Sequence, residues 1–225
     1  MTKFEKFFAS SKLLTTAFII AFAGFIVSAV FSFIPMNGIG INIESSVFTI
    51  VTAVLILLLF VTFRKHETNL MHISTGALFI TFILSSIVFV VTAIVTIGSS
   101  PLFIILPLVE EALYIILFIN HLTINTKHGP TRGRVVVNQV ISVIICSYEL
   151  FVIITYIVLA VQNPALTMLI VSYIVSALGK MFAFMMLVSI ESKLNTYKVL
   201  REVFDKNGGW TEGMKQATKD DVFGR

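Results

Sequence analysis

Cysteine is almost absent. Cys146 stands alone inside an apolar run, so the chain can build neither a disulfide framework nor a CxxC metal site, and the thiol reads as a small packing residue. Charge is scarce as well: 12% of the 225 residues are Asp, Glu, Lys or Arg, about half the share usual in a soluble domain. With 57% hydrophobic residues, any surface the chain folded would be apolar, which excludes a soluble globular protein. The four histidines, His66, His72, His121 and His128, have no HxxxH or HExxH spacing, so no metal site and no cofactor is expected. The net charge of +4 comes from basic residues that flank apolar segments. No groove-sized basic patch with aromatics is present, which argues against nucleic acid as a partner and for a topology signal.

What the sequence has is long apolar runs and a mean hydropathy of +0.98. A helix needs about 20 apolar residues to cross about 30 Å of hydrocarbon. Six runs meet that need: 13–34, 46–63, 73–97, 101–123, 135–161 and 164–190. Pro35, Gly38 and Gly40 end the first, Arg64 to Glu67 the second, and Gly98 to Pro101 the third. Gly129, Pro130 and Gly133 precede the fifth, and Gln162, Asn163 and Pro164 turn the chain into the sixth. Barrel strands would alternate over about ten residues, so the expected class is all-α: a polytopic membrane protein with a six-transmembrane-helix bundle. The first run has no small-residue cleavage site after it and reads as a retained helix.

Orientation follows from lysine and arginine. Residues 1–12 hold Lys3, Lys6 and Lys12; the second and fourth loops hold Arg64, Lys65, Lys127, Arg132 and Arg134; residues 191–225 hold the other seven outside the spans. All basic residues but Lys180 therefore lie on one side, which the positive-inside rule makes cytoplasmic, with both termini there. A plasma-membrane location is expected. The KFEKFF start is expected in the headgroup region. Residues 191–206 are expected to extend the sixth helix on the cytoplasmic side, with Leu194, Tyr197, Leu200, Val203 and Phe204 near one face; Asn207, Gly208 and Gly209 stop it, ahead of a flexible tail.

Four ionisable groups fall well inside the spans: Glu110, Glu111, Glu149 and Lys180. Each costs about 2.5–3.5 kcal/mol on insertion scales, so such groups face the bundle interior and mark ion or proton sites, or clasp helices together. Glu110 and Glu111 sit near mid-membrane, with Pro107 before them to kink the helix and Tyr114 four residues on. Two adjacent carboxylates in low dielectric resist joint ionisation, which suits a proton or cation site. Glu149 and Lys180 lie about 13 and 17 residues from the turn between the fifth and sixth helices, an offset of about 6 Å that a lysine stem can span, so an ion pair is expected.

Gly24, Ser28 and Ser32 on the first span, and Ser172, Ser176, Gly179 and Ala183 on the sixth, form stripes of small residues that suit close helix packing, within the chain or with a second subunit. The Glu110–Glu111 pair is similar to the start of the motif in membrane-embedded CAAX-type prenyl proteases, whose paired glutamates help activate water. The stretch EEALYIILFINH lacks the arginine of that motif and places His121 on the same helix, so the family is not assigned. Three functions follow: a small transporter or channel-like protein handling protons, ions or a small polar solute, as a homo-oligomer or with other membrane subunits; a non-catalytic subunit or scaffold; and an intramembrane hydrolase built on the glutamate pair.

Overall fold

The computed structural model describes residues 2–33, 43–65, 67–97, 131–162, 164 and 167–206, with scattered positions between 109 and 119 and at 211 and 214. It is helical, with no strand among the described residues. In chain order the helices are α1 (Lys3–Phe8), α2 (Ser11–Ser32), α3 (Ile43–Lys65), α4 (Thr68–Ile97), α5 (Arg132–Gln162) and α6 (Thr167–Lys206). All but α1 are long and apolar enough to cross a membrane, so the chain is a multi-pass membrane protein with five candidate spans among the described residues. The run expected over 101–123 lies mostly outside them. Its described residues are helical, and of these Leu113 and Leu117 pack on the core.

Helix α6 organises the bundle. From Thr167 onward, the run expected over 164–190 and the extension at 191–206 form one 40-residue helix, about 60 Å long and twice the depth of a hydrocarbon core. It packs against α2 on one side and α5 on another; α3 leans on α2, and α4 on α3. Leu194 and Tyr197 pack against the core, while Val203 is exposed. Val203 therefore does not share their face: it lies nine residues from Leu194, two and a half helical turns, on the opposite side.

The contact of α2 with α6 is made by residues that are hardly there. Leu14, Ala17, Ala21 and Phe25 recur at three- and four-residue spacing and are buried, with Gly24 and Ser28 on the same flank. A Cβ on Gly24 would stand 3.0 Å from the Gly179 Cα and 3.2 Å from the Val175 carbonyl oxygen. An added methyl would press on the α6 backbone there, and glycine avoids it. Ser28 Oγ donates to the Ser172 carbonyl at 3.4 Å. The two small-residue stripes are thus two sides of one contact inside the chain, with Ala183 fully buried further along α6. The side chain of Ser32 lies outside the described residues.

Aromatic rings close the other gaps. Phe18 of α2 stacks on Phe60 of α3 at 4.0 Å between centroids, and Arg64 lies over the Phe60 ring. Phe82 of α4 reaches both Phe25 and Phe184. Hydroxyls within the spans, such as Thr52, Ser74, Thr75 and Thr81, donate to the carbonyl one turn back, so they cost little in an apolar setting.

The glycine contact yields a prediction. Gly24→Ala must move backbone, whereas a Cβ on Gly179 meets only the Phe25 ring at 3.3 Å, which can give way. Gly24→Ala is expected to lower stability by about 1–3 kcal/mol and Gly179→Ala by clearly less, read from reversible unfolding in mixed micelles. Equal effects would show that the close approach is not limiting.

A buried polar seam as the candidate functional site

Helix α5 is built inside out relative to a helix of a soluble protein. Val137, Val140, Ile144, Leu150, Phe151 and Ile154 are exposed, whereas Asn138, Gln139, Ser142 and Glu149 are buried. The polar residues recur at three- and four-residue spacing, so they form one stripe, and that stripe faces α6. Apolar residues turned outward suit lipid; polar ones turned inward need partners.

The partners come from α6. Asn138 Nδ2 donates to Glu191 Oε2 at 2.7 Å, and Gln139 Nε2 donates to Ser192 Oγ at 3.0 Å. Ser192 in turn donates to the Val188 carbonyl. Glu191 is fully buried and Lys193 nearly so, with Lys193 Nζ donating to Ser11 Oγ at the start of α2. These bonds fix the antiparallel register of the two helices. Glu149 lies eleven residues beyond Asn138, and Lys180 eleven before Glu191. Eleven residues are just over three whole turns, so continuing the Asn138–Glu191 register along both helices would bring Glu149 and Lys180 to one level. Glu149 is 2% exposed, Lys180 is half-buried, and Cys146 lies within the influence of both Ser142 and Glu149. Polar side chains therefore recur along α5 over about 16 Å, from Asn138 to Glu149, among the buried apolar residues Ile141 and Ile145.

No protein-family model, curated protein or solved structure matches this chain. The residues alone carry the functional reading.

Of the expected intramembrane charges, Glu149 is buried on α5 and Lys180 is half-buried on α6. Glu110, Glu111, Pro107 and Tyr114 lie outside the described residues, as do His66, His121 and His128; His72 is half-buried. No cluster of three His, Cys, Asp or Glu is present among the described residues. Sequence reasoning passed over Asn138, Gln139, Glu191, Ser192 and Lys193, because a run of apolar residues hides its polar ends and 191–206 reads as a solvated extension. The signal was present nonetheless: measured from the Gln162–Pro164 turn, Asn138 and Glu191 have the same offset as Glu149 and Lys180.

A latch closes one end of the seam. Thr2 and Glu5 form a capping box at the start of α1, which turns Glu5 and Phe8 inward and leaves Phe4 and Phe7 exposed. The Glu5 carboxylate accepts from Arg132 Nε at 2.7 Å and Nη2 at 3.1 Å, a two-pronged pair across 127 residues. The Arg132 guanidinium, followed by the Thr2 amide, holds the Glu5 carboxyl down at about 2 from the usual 4.5.

A carboxyl depressed by folding stabilises the folded arrangement fully above its unfolded value, and that contribution is lost as pH falls through the folded one. Docking of α1 should therefore hold above about 4.5 and weaken between there and about 2. Spin labels at Lys3 and Arg134, in a Cys146→Ala background, are expected to give one narrow distance that broadens over that window. Glu5→Gln should be broad at every pH. A distance indifferent to both would show that Phe8 packing alone holds α1.

The shared register yields a second expectation. Removing either Glu149 or Lys180 is expected to cost about 3–5 kcal/mol by stranding the other charge, and removing both to cost less than the sum. Additive losses in the double-mutant cycle would mean that the two do not interact.

Proposed function

We propose that the chain is a small multi-pass transporter or channel-like protein that handles protons or small cations along the α5–α6 seam, with Glu149 and Glu191 as its protonatable stations. The observation that carries this reading is the pair of buried carboxylates, three turns apart on facing helices, with Asn138, Gln139 and Ser142 buried on the same helix as Glu149. A clasp between helices needs one hydrogen bond at one level. Polar residues repeated over about 16 Å, each adding a desolvation cost, are better explained by something that travels along them. Glu110 and Glu111, with Pro107 and Tyr114 beside them, extend the same reading as a further carboxylate station on the fourth span.

The wider arrangement proposed is six spans with both termini cytoplasmic, supported by the one-sided distribution of lysine and arginine, in the plasma membrane and as a homo-oligomer or with other membrane subunits. That sidedness puts the Glu5–Arg132 latch at the cytoplasmic mouth and the end of α6 in the cytoplasm. The subunit reading gains less support, because the small-residue stripes that would have served a partner are occupied by each other.

Flux in reconstituted vesicles tests the proposal. With a pH dye inside and a proton or alkali-cation gradient imposed, the protein is expected to dissipate the gradient. Glu149→Gln and Glu191→Gln, which keep shape and hydrogen bonding, should each slow it at least about tenfold, the scale of removing a positioned proton carrier. Glutamine variants as active as the parent would leave the carboxylates a structural clasp.

A further inference from the structure

A groove opens between α1 and the start of α5, beside the latch. Thr2, Phe4 and Glu5 line one wall, and Arg132, Gly133 and Val136 the other, around a volume of about 420 Å³, within the range of small-molecule sites. Its lining is mostly apolar. A Cβ on Gly133 would meet nothing within 4 Å, so this glycine leaves open a space that a larger side chain would begin to fill.

The surroundings of the groove are basic. Lys3, Lys6, Arg132 and Arg134 are exposed, and Glu5 is the one acid within residues 2–8 and 131–136. The Arg132 side chain is 64% exposed and bonds Glu5 through Nε and Nη2, which leaves the Nη1 hydrogens for a second acceptor. The groove also lies at the positive end of the α5 dipole. One carboxylate does not neutralise such a place, and charge complementarity calls for an anion.

The apolar lining says which kind of anion. A free phosphate gains nothing from Phe4 and Val136. Beyond Val136, the residues Val140, Val143 and Ile144 lie one and two turns along the same side of α5 and are exposed. From Arg132 to Ile144 the helix rises about 18 Å, close to half the depth of a hydrocarbon core. Basic groups, an apolar groove and an apolar ridge thus stand in line, in the order of a phosphate, a glycerol backbone and an acyl chain. We infer that the α1–α5 groove binds one anionic phospholipid, with its phosphate at Arg132, Lys3 and Lys6 nearby, and an acyl chain laid over Val136 and the ridge. The site is independent of the transport reading, because it uses only the α5 span and the docked α1.

Native mass spectrometry of the full chain tests this, with the protein released from bilayers of phosphatidylcholine alone or mixed with phosphatidylglycerol. The parent is expected to retain phosphatidylglycerol over phosphatidylcholine by at least about fivefold, the scale of one basic residue near an anionic lipid. Lys3→Gln combined with Lys6→Gln, both at exposed positions, should cut that preference by at least about fivefold. Gly133→Leu, which enters open space and favours helix, should release the lipid while amide exchange over residues 3–8 shows α1 still docked. A parent that retains both lipids equally has only the ordinary lipid annulus, and the site is overturned. Retention undiminished in Gly133→Leu overturns it too, because the basic residues would then act without the groove. Should Gly133→Leu undock α1, the lysine pair decides: a preference unchanged by their loss ends the proposal. Soluble glycerol phosphate that displaces the lipid at equal concentration would assign the site to a free phosphate and overturn the lipid.

Discussion

The approach of Gly24 to Gly179 governs how the rest of the bundle is arranged. Where one backbone lies close to another, no side chain can adjust to take up error, so α2 and α6 meet at Gly24 with little room for an added methyl group. The first and last candidate spans thereby become neighbours, and α6 is held at the centre with its other face free for α5. Lipid gives helices no hydrophobic reason to associate, so packing of this closeness, with the Phe25, Phe82 and Phe184 rings filling the space alongside, is what a membrane bundle has instead.

The two sides of α6 then follow different physics. Toward α2 it presents Gly179 and Ala183 and gains dispersion from contact. Toward α5 it presents Glu191 and Ser192, and gains hydrogen bonds whose worth depends on every partner being in place. That second side is costly to build in hydrocarbon and is easily upset by one proton or one ion. A chain with so few charges that still commits several of them to one helix interface has concentrated its polar chemistry there.

The helical class and most of the spans were legible in the sequence, because period and run length are one-dimensional properties. Pro35, the Arg64–Glu67 break and the Gln162–Pro164 turn mark helix ends close to where the structure has them. The small-residue stripes were legible as seams, but not that they meet each other, since spacing along one helix does not name its neighbour. Asn138 and Glu191 were missed for a related reason: each looked like the polar edge of an apolar run, and each finds its partner on the other helix. Val203 was assigned to the Leu194 face by its apolar character, although nine residues carry it to the opposite side.

If the seam responds to a bound proton or ion, α5 is the element best able to move. Its contact with α6 includes side-chain hydrogen bonds that can exchange partners, and a smaller share of α5 is buried than of any other candidate span. By contrast, α6 meets α2 through a close approach at Gly24 and Gly179, where no side chain intervenes to adjust. Two ties limit what α5 can do. The short turn around Pro164 joins one end to α6, and the Arg132–Glu5 pair joins the other to α1, whose Phe8 is buried in the core. With both ends held, the low-cost motion is a rotation or a bow of the middle of the helix, which is where Ser142, Cys146 and Glu149 lie. Such a motion would change what the seam exposes while leaving the α2–α6 contact intact, which separates the part of the bundle that must hold from the part that can respond.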